Sequence, residues 1–330
     1  MKRAVSLLTA GLALMIVAGA IPCAAAEYPE RAITIINPQS PGGAHDAQGR
    51  AFAAVAEKYL GKPMVVVNKP GASTMIGTVA AAQALADGYT LLLGSSITTT
   101  VVEWEILNGR TPGATRHDFV TIGSMTLMPT VLSVPVDSPW KSIADLVKDA
   151  KAKPGFYAFG SSGVLTPTHI GAEVFARAYG LSFRHVPFAG GGPVLTAVVG
   201  KHVDFTTQFD ITTIPLAQGN KLRILAVESN RRLKSIPNVP TFRELGVNLE
   251  NHMWVGLVAP KNTPPPIVER LRDATAKVVN DKAFVDAIEK LGGEVRFMNG
   301  PELAKYWDTE SEDNIKILRE LQKEGVKLGQ

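Results

Sequence analysis

The chain has 330 residues, and 34 Lys and Arg against 30 Asp and Glu leave a formal charge of only +4. With no basic tract longer than Arg231-Arg232, nucleic-acid binding lacks its electrostatic footprint. The only cysteine is Cys23, so a disulfide framework, a cysteine nucleophile and a thiolate metal site are all excluded from the rest of the chain.

The N-terminus reads as an address. Met1-Lys2-Arg3 is a positive start, an apolar run fills 4–21, and Ala24-Ala25-Ala26 supplies small residues before Glu27. That is the layout of a secretory signal peptide over residues 1–26, cut after Ala26. Pro22 stands where lipoprotein processing wants a small residue, which argues against lipidation of Cys23. No later apolar stretch reaches membrane-spanning length. Residues 27–330 are thus expected in the periplasm, and their length suits about two domains.

Beyond the leader, short β-branched runs alternate with helical patterns. Residues 33–36 read as a strand, and a glycine loop, Ser40-Pro41-Gly42-Gly43-Ala44-His45-Asp46, follows. Asp46 is a candidate N-cap for a helix that Gly61 stops. A strand over 64–67, a turn-rich junction at 68–73 and a helix across 76–85 come next. Asp87-Gly88 then turns the chain into a buried strand at 89–93. Residues 100–116 give only a loose connection with some helix. Two extended pieces, 120–127 and 130–134, flank a break at Met128-Pro129, the first candidate crossing between domains.

Alternation resumes with a helix over 142–151 and a strand over 156–159. A small-residue loop follows, Gly160-Ser161-Ser162-Gly163-Val164-Leu165-Thr166-Pro167-Thr168-His169, and leads into a helix ending near Tyr179. Strands at 183–186, 203–209 and 222–227 surround a helix through 194–199. An extended return at 254–258 makes the second crossing. Pro264-Pro265-Pro266 opens a helix with Ile267, Leu271, Ala274 and Val278 on one face, since proline suits the first helical turn. The last helix, from about 302 to 323, should lie on the surface of the first domain. The pattern predicts largely parallel sheets flanked by helices, an α/β fold.

Catalytic signatures fail. Six histidines show no tight metal-ligand spacing, and the Gly-x-Ser-x-Gly, Gly-x-Gly-x-x-Gly and Walker patterns are absent. No metal, cofactor or catalytic residue is assigned, although a Ser/His/Asp arrangement assembled in space would make a hydrolase. Binding has better support. Glycine lets backbone approach a ligand, and the first N–H groups of a helix lack internal partners and favour an anion. Junctions of this kind in both halves suggest a carboxylate held between domains. The selected donors are Ser40, Gly42, Gly43, Ser73, Ser161, Gly163 and Thr166. His45 stands beside the first loop and could face the cleft. Asp210 could accept a ligand hydrogen bond or cap the segment after it. His169 reads as a support under its loop.

Taken in order, the motifs resemble the solute-binding receptors of tripartite tricarboxylate transporters, the Bug family, over almost all of the mature chain. They begin with Tyr28-Pro29 and Arg31, then Pro41-Gly42-Gly43-Ala44-His45-Asp46, Asn68-Lys69-Pro70-Gly71-Ala72 and Asp87 through Leu92. Gly160 to His169, His185 to Gly190, Phe209-Asp210, Lys221-Leu222-Arg223, Leu225-Ala226-Val227 and Val239-Pro240-Thr241 complete the set. Gln39 departs from the pattern, which usually has an aromatic there. The resemblance implies a two-domain type II periplasmic-binding-protein fold with an interdomain ligand cleft. Domain 1 would be 27–128 plus 253–330, and domain 2 would be 129–252. It implies a monomer that closes by a hinge over a small di-, tri- or aromatic carboxylic acid and serves membrane permease subunits. Carboxylate contacts fall on Gly42, Gly43, Ser161, Gly163 and Thr166, and a ligand-selecting contact on Asp210. A receptor signalling to a membrane sensor kinase is the alternative, and a periplasmic hydrolase a third.

Overall fold

The computed structural model describes residues 28–323; the leader expected over residues 1–26 lies outside them. Two groups of parallel strands share one long antiparallel strand. β1 (Ile33–Asn37) pairs in parallel with β2 (Met64–Asn68) and β3 (Thr90–Ser95). In the second group, β5 (Ala158–Ser161) pairs in parallel with β6 (Arg184–Pro187) and β7 (Phe205–Phe209). β4 (Phe119–Pro135) joins them. Its first part pairs antiparallel with β9 (His252–Pro260), and its last part with β7 and β8 (Leu222–Val227). β9 lies beside β3, which closes the first group. We call the two groups with their helices the first and second lobes.

The expected break at Met128-Pro129 is not a break. Pro129 sits inside β4 opposite His252, at the last β9 pairing, and Thr130 takes up the first β7 pairing. Proline has no N–H, so it fits where a ladder changes partners. Thr130 N–H then donates to Asn251 O at 3.0 Å, which holds the two crossing segments together.

Helices follow each parallel strand. α1 (Ala44–Leu60), α2 (Met75–Ala82) and α3 (Ser96–Leu107) follow β1, β2 and β3. α4 (Ile143–Ala152) precedes β5, whereas α5 (Pro167–Tyr179), α6 (Gly191–Val199) and α7 (Asp210–Gln218) follow β5, β6 and β7. α8 (Pro265–Val279), α9 (Lys282–Lys290) and α10 (Gly300–Lys323) end the chain. α3 is a full helix where a loose connection was expected. Its Ser/Thr-rich first turns are poor helix formers, and burial against α10 overrides that preference. Thr99 Oγ1 accepts the Trp307 indole N–H at 2.7 Å and donates to Glu310 at 3.1 Å.

One core packs Ile33, Ile35, Phe52, Leu91, Leu93, Leu257 and Phe284 beneath the first sheet. Another packs Phe159, Phe175, Phe205 and Phe242 in the second lobe. α10 does more than cover the first lobe. Its Trp307 lies edge-on to Trp254 at 5.0 Å, but farther along Leu318 and Leu321 pack with Leu165 and Ile170 of the second lobe. The apolar stripe simply continues past the end of the first lobe.

Candidate ligand cleft

The carboxyl ends of parallel strands collect turn backbone and helix N-termini, the usual seat of a ligand in an open α/β sheet. Here that edge has a specific property. Every helix following a parallel strand, α1, α2, α3, α5, α6 and α7, starts without a side-chain cap bond. Side-chain caps occur instead at α4, from Ser142, and at α9, from Asp281, neither of which follows a parallel strand. Uncapped N-termini leave backbone donors and the positive end of the helix dipole directed outward.

In the first lobe one carboxylate organises the loop after β1. Asp46 does not cap α1; Gly43 holds the N-cap position, and Asp46 lies in the first turn. Its Oδ2 accepts the Gly42 N–H at 3.0 Å and Arg50 Nε at 2.9 Å, while Oδ1 accepts Asn37 Nδ2 at 3.2 Å and Asn68 Nδ2 at 2.9 Å. The Gly42 N–H is therefore spent inside the loop, and its φ of 80° is the left-handed turn that glycine adopts without strain. Ser40, Gly42, Gly43 and Ser73 are exposed. His45 is buried, with Nδ1 2.8 Å from Asn37 Oδ1 and Nε2 without a partner among the described residues. Burial pushes its pKa down to about 4, so the ring is neutral at pH 7.

The loop after β5 is braced by its own hydroxyls. Ser161 Oγ and Thr166 Oγ1 both donate to the Gly163 carbonyl, at 2.9 and 2.8 Å. Ser162 N–H donates to Thr168 Oγ1 at 2.9 Å, and Leu165 N–H to His169 Nδ1 at 3.1 Å. Ser161 and Thr166 are buried, and Gly163 has a φ of 137° that disfavours any side chain. These contacts shape the loop and take the Ser162, Gly163 and Leu165 N–H groups, the Gly163 one through Ser161 Oγ at 3.3 Å. His169 N–H donates to Thr166 O and Pro167 has no N–H, so the backbone at Val164 and Thr166 and the Thr168 N–H at the α5 start are what a ligand can use.

Ser161 Oγ also lies 2.7 Å from His185 Nε2, a Ser–His contact that sequence reasoning did not find. The two residues are 24 apart and come together only because β5 pairs with β6. His185 stacks on His169 with centroids 3.9 Å apart, and burial together with His169 pushes its pKa down to about 3. A base that weak is poorly matched to abstracting a serine proton near neutrality. The contact is structural support.

The two lobes meet around a cavity of about 730 Å³ lined by Ala72, Ser73, Val101 and Trp104 from one side and by Val164 and Leu165 from the other. Both facing loops are conformationally stressed. Ala72, Ser73 and Thr74 have φ of 45°, 49° and 82°, and Leu165 has 62°, values that side chains rarely adopt. Such strain gathers where a loop has been shaped for a purpose other than stability.

Asp210 stands apart from these loops. It is the first residue of α7, its Oδ1 accepts the Ile211 N–H at 2.7 Å, and it lines a small cavity with His252, Glu294 and Arg296 beside the β4 and β9 crossing. Burial pushes its pKa up to about 8, so it is largely protonated at pH 7.

Four of the six buried side-chain atoms without a partner among the described residues, Gln39 Nε2, His45 Nε2, Ser95 Oγ and Gln208 Nε2, sit at or just past the carboxyl ends of β1, β3 and β7. Buried polar atoms are normally paired, so this edge is where unsatisfied groups concentrate; Gln39, Ser95 and Gln208 offer donors, whereas His45, neutral with Nδ1 facing Asn37 Oδ1, does not. Ser95, Gln39 and Gln208 were not among the expected site residues. Their signal is burial without a partner, which a sequence does not display.

Residues 49–323 match the family model described as tripartite tricarboxylate transporter family receptor. The chain belongs to that receptor family. It is 32% identical to the protein BugT of Bordetella pertussis over 274 residues, covering 83% of this chain and 84% of BugT. Among solved structures it resembles an R. palustris protein with adipate, at 27% identity and TM-score 0.81, covering 88% of this chain and 97% of that one. It also resembles MatC from Rhodopseudomonas palustris with bound malate, at 25% identity and TM-score 0.78, covering 88% and 99%. The receptor has the two-domain periplasmic-binding fold of these relatives, and receptors of this family are periplasmic. Among the described residues no helix is long and apolar enough to cross a membrane, and no group of three or more His, Cys, Asp or Glu is arranged to hold a metal ion.

Proposed function

We propose that this receptor captures a small di-, tri- or aromatic carboxylic acid between its lobes and delivers it to the membrane permease subunits of a tripartite tricarboxylate transporter. The observation that carries the reading is the carboxyl edge of both lobes, where uncapped helix N-termini and unpartnered buried donors gather. Charge-assisted hydrogen bonds to a carboxylate contribute about 1.5–3 kcal/mol each, so a few suffice to bind a small acid without any arginine. The relatives solved with adipate and with malate support the ligand class.

In this reading residues 1–26 are a signal peptide, 27–128 and 253–330 form one lobe, and 129–252 form the other. β4 and β9 are the hinge, and closure is an open–closed equilibrium that the ligand shifts by touching both lobes. The backbone at Ser40, Gly43 and His45 forms the first jaw, with Ser73 beside it, and Gly42, whose N–H is spent on Asp46, makes the turn that presents them. Ser161, Gly163 and Thr166 form the second. Asp210, neutral and next to the crossing strands, acts at the hinge side of the cleft. The protein works as a monomer and makes no covalent bond to its ligand.

A thermal-shift screen of di-, tri- and aromatic carboxylates tests this directly. At least one acid is expected to raise the melting midpoint, and Gly163→Val is expected to abolish that shift. No stabilisation by any acid would contradict the reading. So would turnover of an ester that disappears in Ser161→Ala.

A further inference from the structure

The cavity between the lobes has a lining that a carboxylate alone does not explain. Met75 and Ile76 of α2, Val101 and Trp104 of α3, and Val164 and Leu165 of the loop after β5 give it apolar walls from both lobes. At about 730 Å³, mostly apolar with few polar groups, it has the character of a small-molecule site. Its charges cancel. Arg110 is the one cation in the lining, and its Nε and Nη2 donate to the Glu105 carboxylate at 2.6 and 2.9 Å.

Three side chains there are held against their own preference. Trp104 is only 8% exposed, yet its indole N–H has no partner among the described residues, whereas those of Trp140, Trp254 and Trp307 all donate to side chains. Indoles buried this deeply usually have a partner. Ile76 leaves 55% of its surface to solvent. Leu165 has a φ of 62°, where glycine would be unstrained, so a large apolar side chain is kept at this wall at a backbone cost. Val164 belongs both to the wall and to the loop whose free N–H groups suit a carboxylate, so the cavity continues that seat.

We infer that this cavity takes an aromatic ring, which makes the ligand an aryl monocarboxylic acid and Trp104 the residue that selects it. The inference rests on the carboxylate-receptor reading and assigns the uncharged part of the ligand. A ring gains more than a chain of equal area, because an aromatic pair with Trp104 adds to the surface buried. The indole N–H can also donate to a ring substituent. A second carboxylate would meet apolar walls, an arginine already engaged and the charge of Glu105.

Titration calorimetry of residues 27–330 with 3-phenylpropionate, hexanoate and malate tests the assignment. The wild type is expected to bind 3-phenylpropionate roughly tenfold or more tighter than malate, the gain from burying about 60 Å² of apolar surface, and tighter than hexanoate. Trp104→Leu should remove the advantage of ring over chain. Ile76→Asn, at a side chain exposed enough to spare the fold, should weaken 3-phenylpropionate about threefold or more and malate less. If malate or hexanoate binds the wild type as tightly as 3-phenylpropionate, the inference is overturned and the receptor reading stands; this comparison needs no variant to fold. Undiminished selectivity in Trp104→Leu or Ile76→Asn, from protein that melts cooperatively, would overturn it too. Failure of the wild type to bind any acid would overturn both.

Discussion

Asn251 Nδ2 donates to Oε2 of Glu228 at 2.9 Å, just before the chain re-enters the first lobe. The same amide reaches Thr130 Oγ1 at 2.8 Å and the Pro167 carbonyl at 2.8 Å, and the Thr130 hydroxyl also donates to Glu228. One buried carboxylate therefore ties both crossing segments to the start of α5. Its other oxygen has no partner among the described residues, and burial pushes its pKa up to about 7.

This gives a pH dependence with a definite sign. An unfolded glutamate titrates near pH 4.3, so between there and about 7 the folded state holds the extra proton. Stability from Glu228 therefore falls as pH rises through that window and is level above it. Glu310, raised to about 7, and Asp210, raised to about 8, are shifted by burial in the same direction. His45, His185 and His252 are lowered by burial to about 4, 3 and 4, so they add stability as pH rises toward 6.5 and nothing beyond. The melting midpoint is expected to fall between about pH 6.5 and 8, most steeply below 7, and Glu228→Gln to flatten the part below about pH 7. An unchanged slope in the variant would remove Glu228 from the explanation.

Asp46 should matter to binding without touching the ligand. Burial alone would raise its pKa, but bonds from Arg50, Gly42, Asn68 and Asn37 bring it down to about 2. The stability it contributes is present above its unfolded pKa and is lost only as pH falls toward about 2. Asp46→Ala strands the buried Asn37 amide and releases the loop after β1. Chemical denaturation should show a loss of about 2–4 kcal/mol, and titration calorimetry a weaker acid affinity at temperatures where the variant is folded. Full affinity would show that the loop needs no such brace.

Ala72 is exposed and has a φ of 45°, so Ala72→Gly should relieve backbone strain. Denaturant unfolding is expected to show a gain of up to about 1 kcal/mol, after the larger unfolded-state entropy of glycine is offset. A loss of stability would mean that this turn is not strained.

Ser161→Ala removes a hydroxyl that braces the Gly163 carbonyl and leaves His185 Nε2 without its partner. A cost of about 1–3 kcal/mol is expected in denaturant unfolding, together with weaker acid binding. The pH-dependence of any background ester hydrolysis should match that of the wild type, because the pair is not a catalytic dyad.

Much of the architecture was legible because period and punctuation agree. The β-branched runs at 33–36 and 64–67, each followed by glycine or proline and a helical period, became strands and helices within a few residues of expectation. α3 was not legible, since its Ser96-Ile97-Thr98-Thr99-Thr100-Val101 start has weak helix propensity and is held by burial and by Trp307 and Glu310. α9 was passed over although its apolar face is well formed, with Phe284 and Ile288 buried. In the cleft, Gly42, Gly163 and Ser161 could be selected as turn and helix-start chemistry. Ser95, Gln208 and the pairing of Ser161 with His185 could not. Those depend on which atoms end up buried and which strand lies beside which.

Capture of a carboxylate is tested most directly by titrating adipate and malate into purified residues 27–330, first freed of co-purifying ligand by partial unfolding and refolding. Saturable one-site binding with a dissociation constant in the micromolar range or tighter is expected for at least one small di-, tri- or aromatic carboxylate, lost in Gly163→Val. No saturable heat with these acids or a wider carboxylate panel, from protein that melts cooperatively, would contradict it.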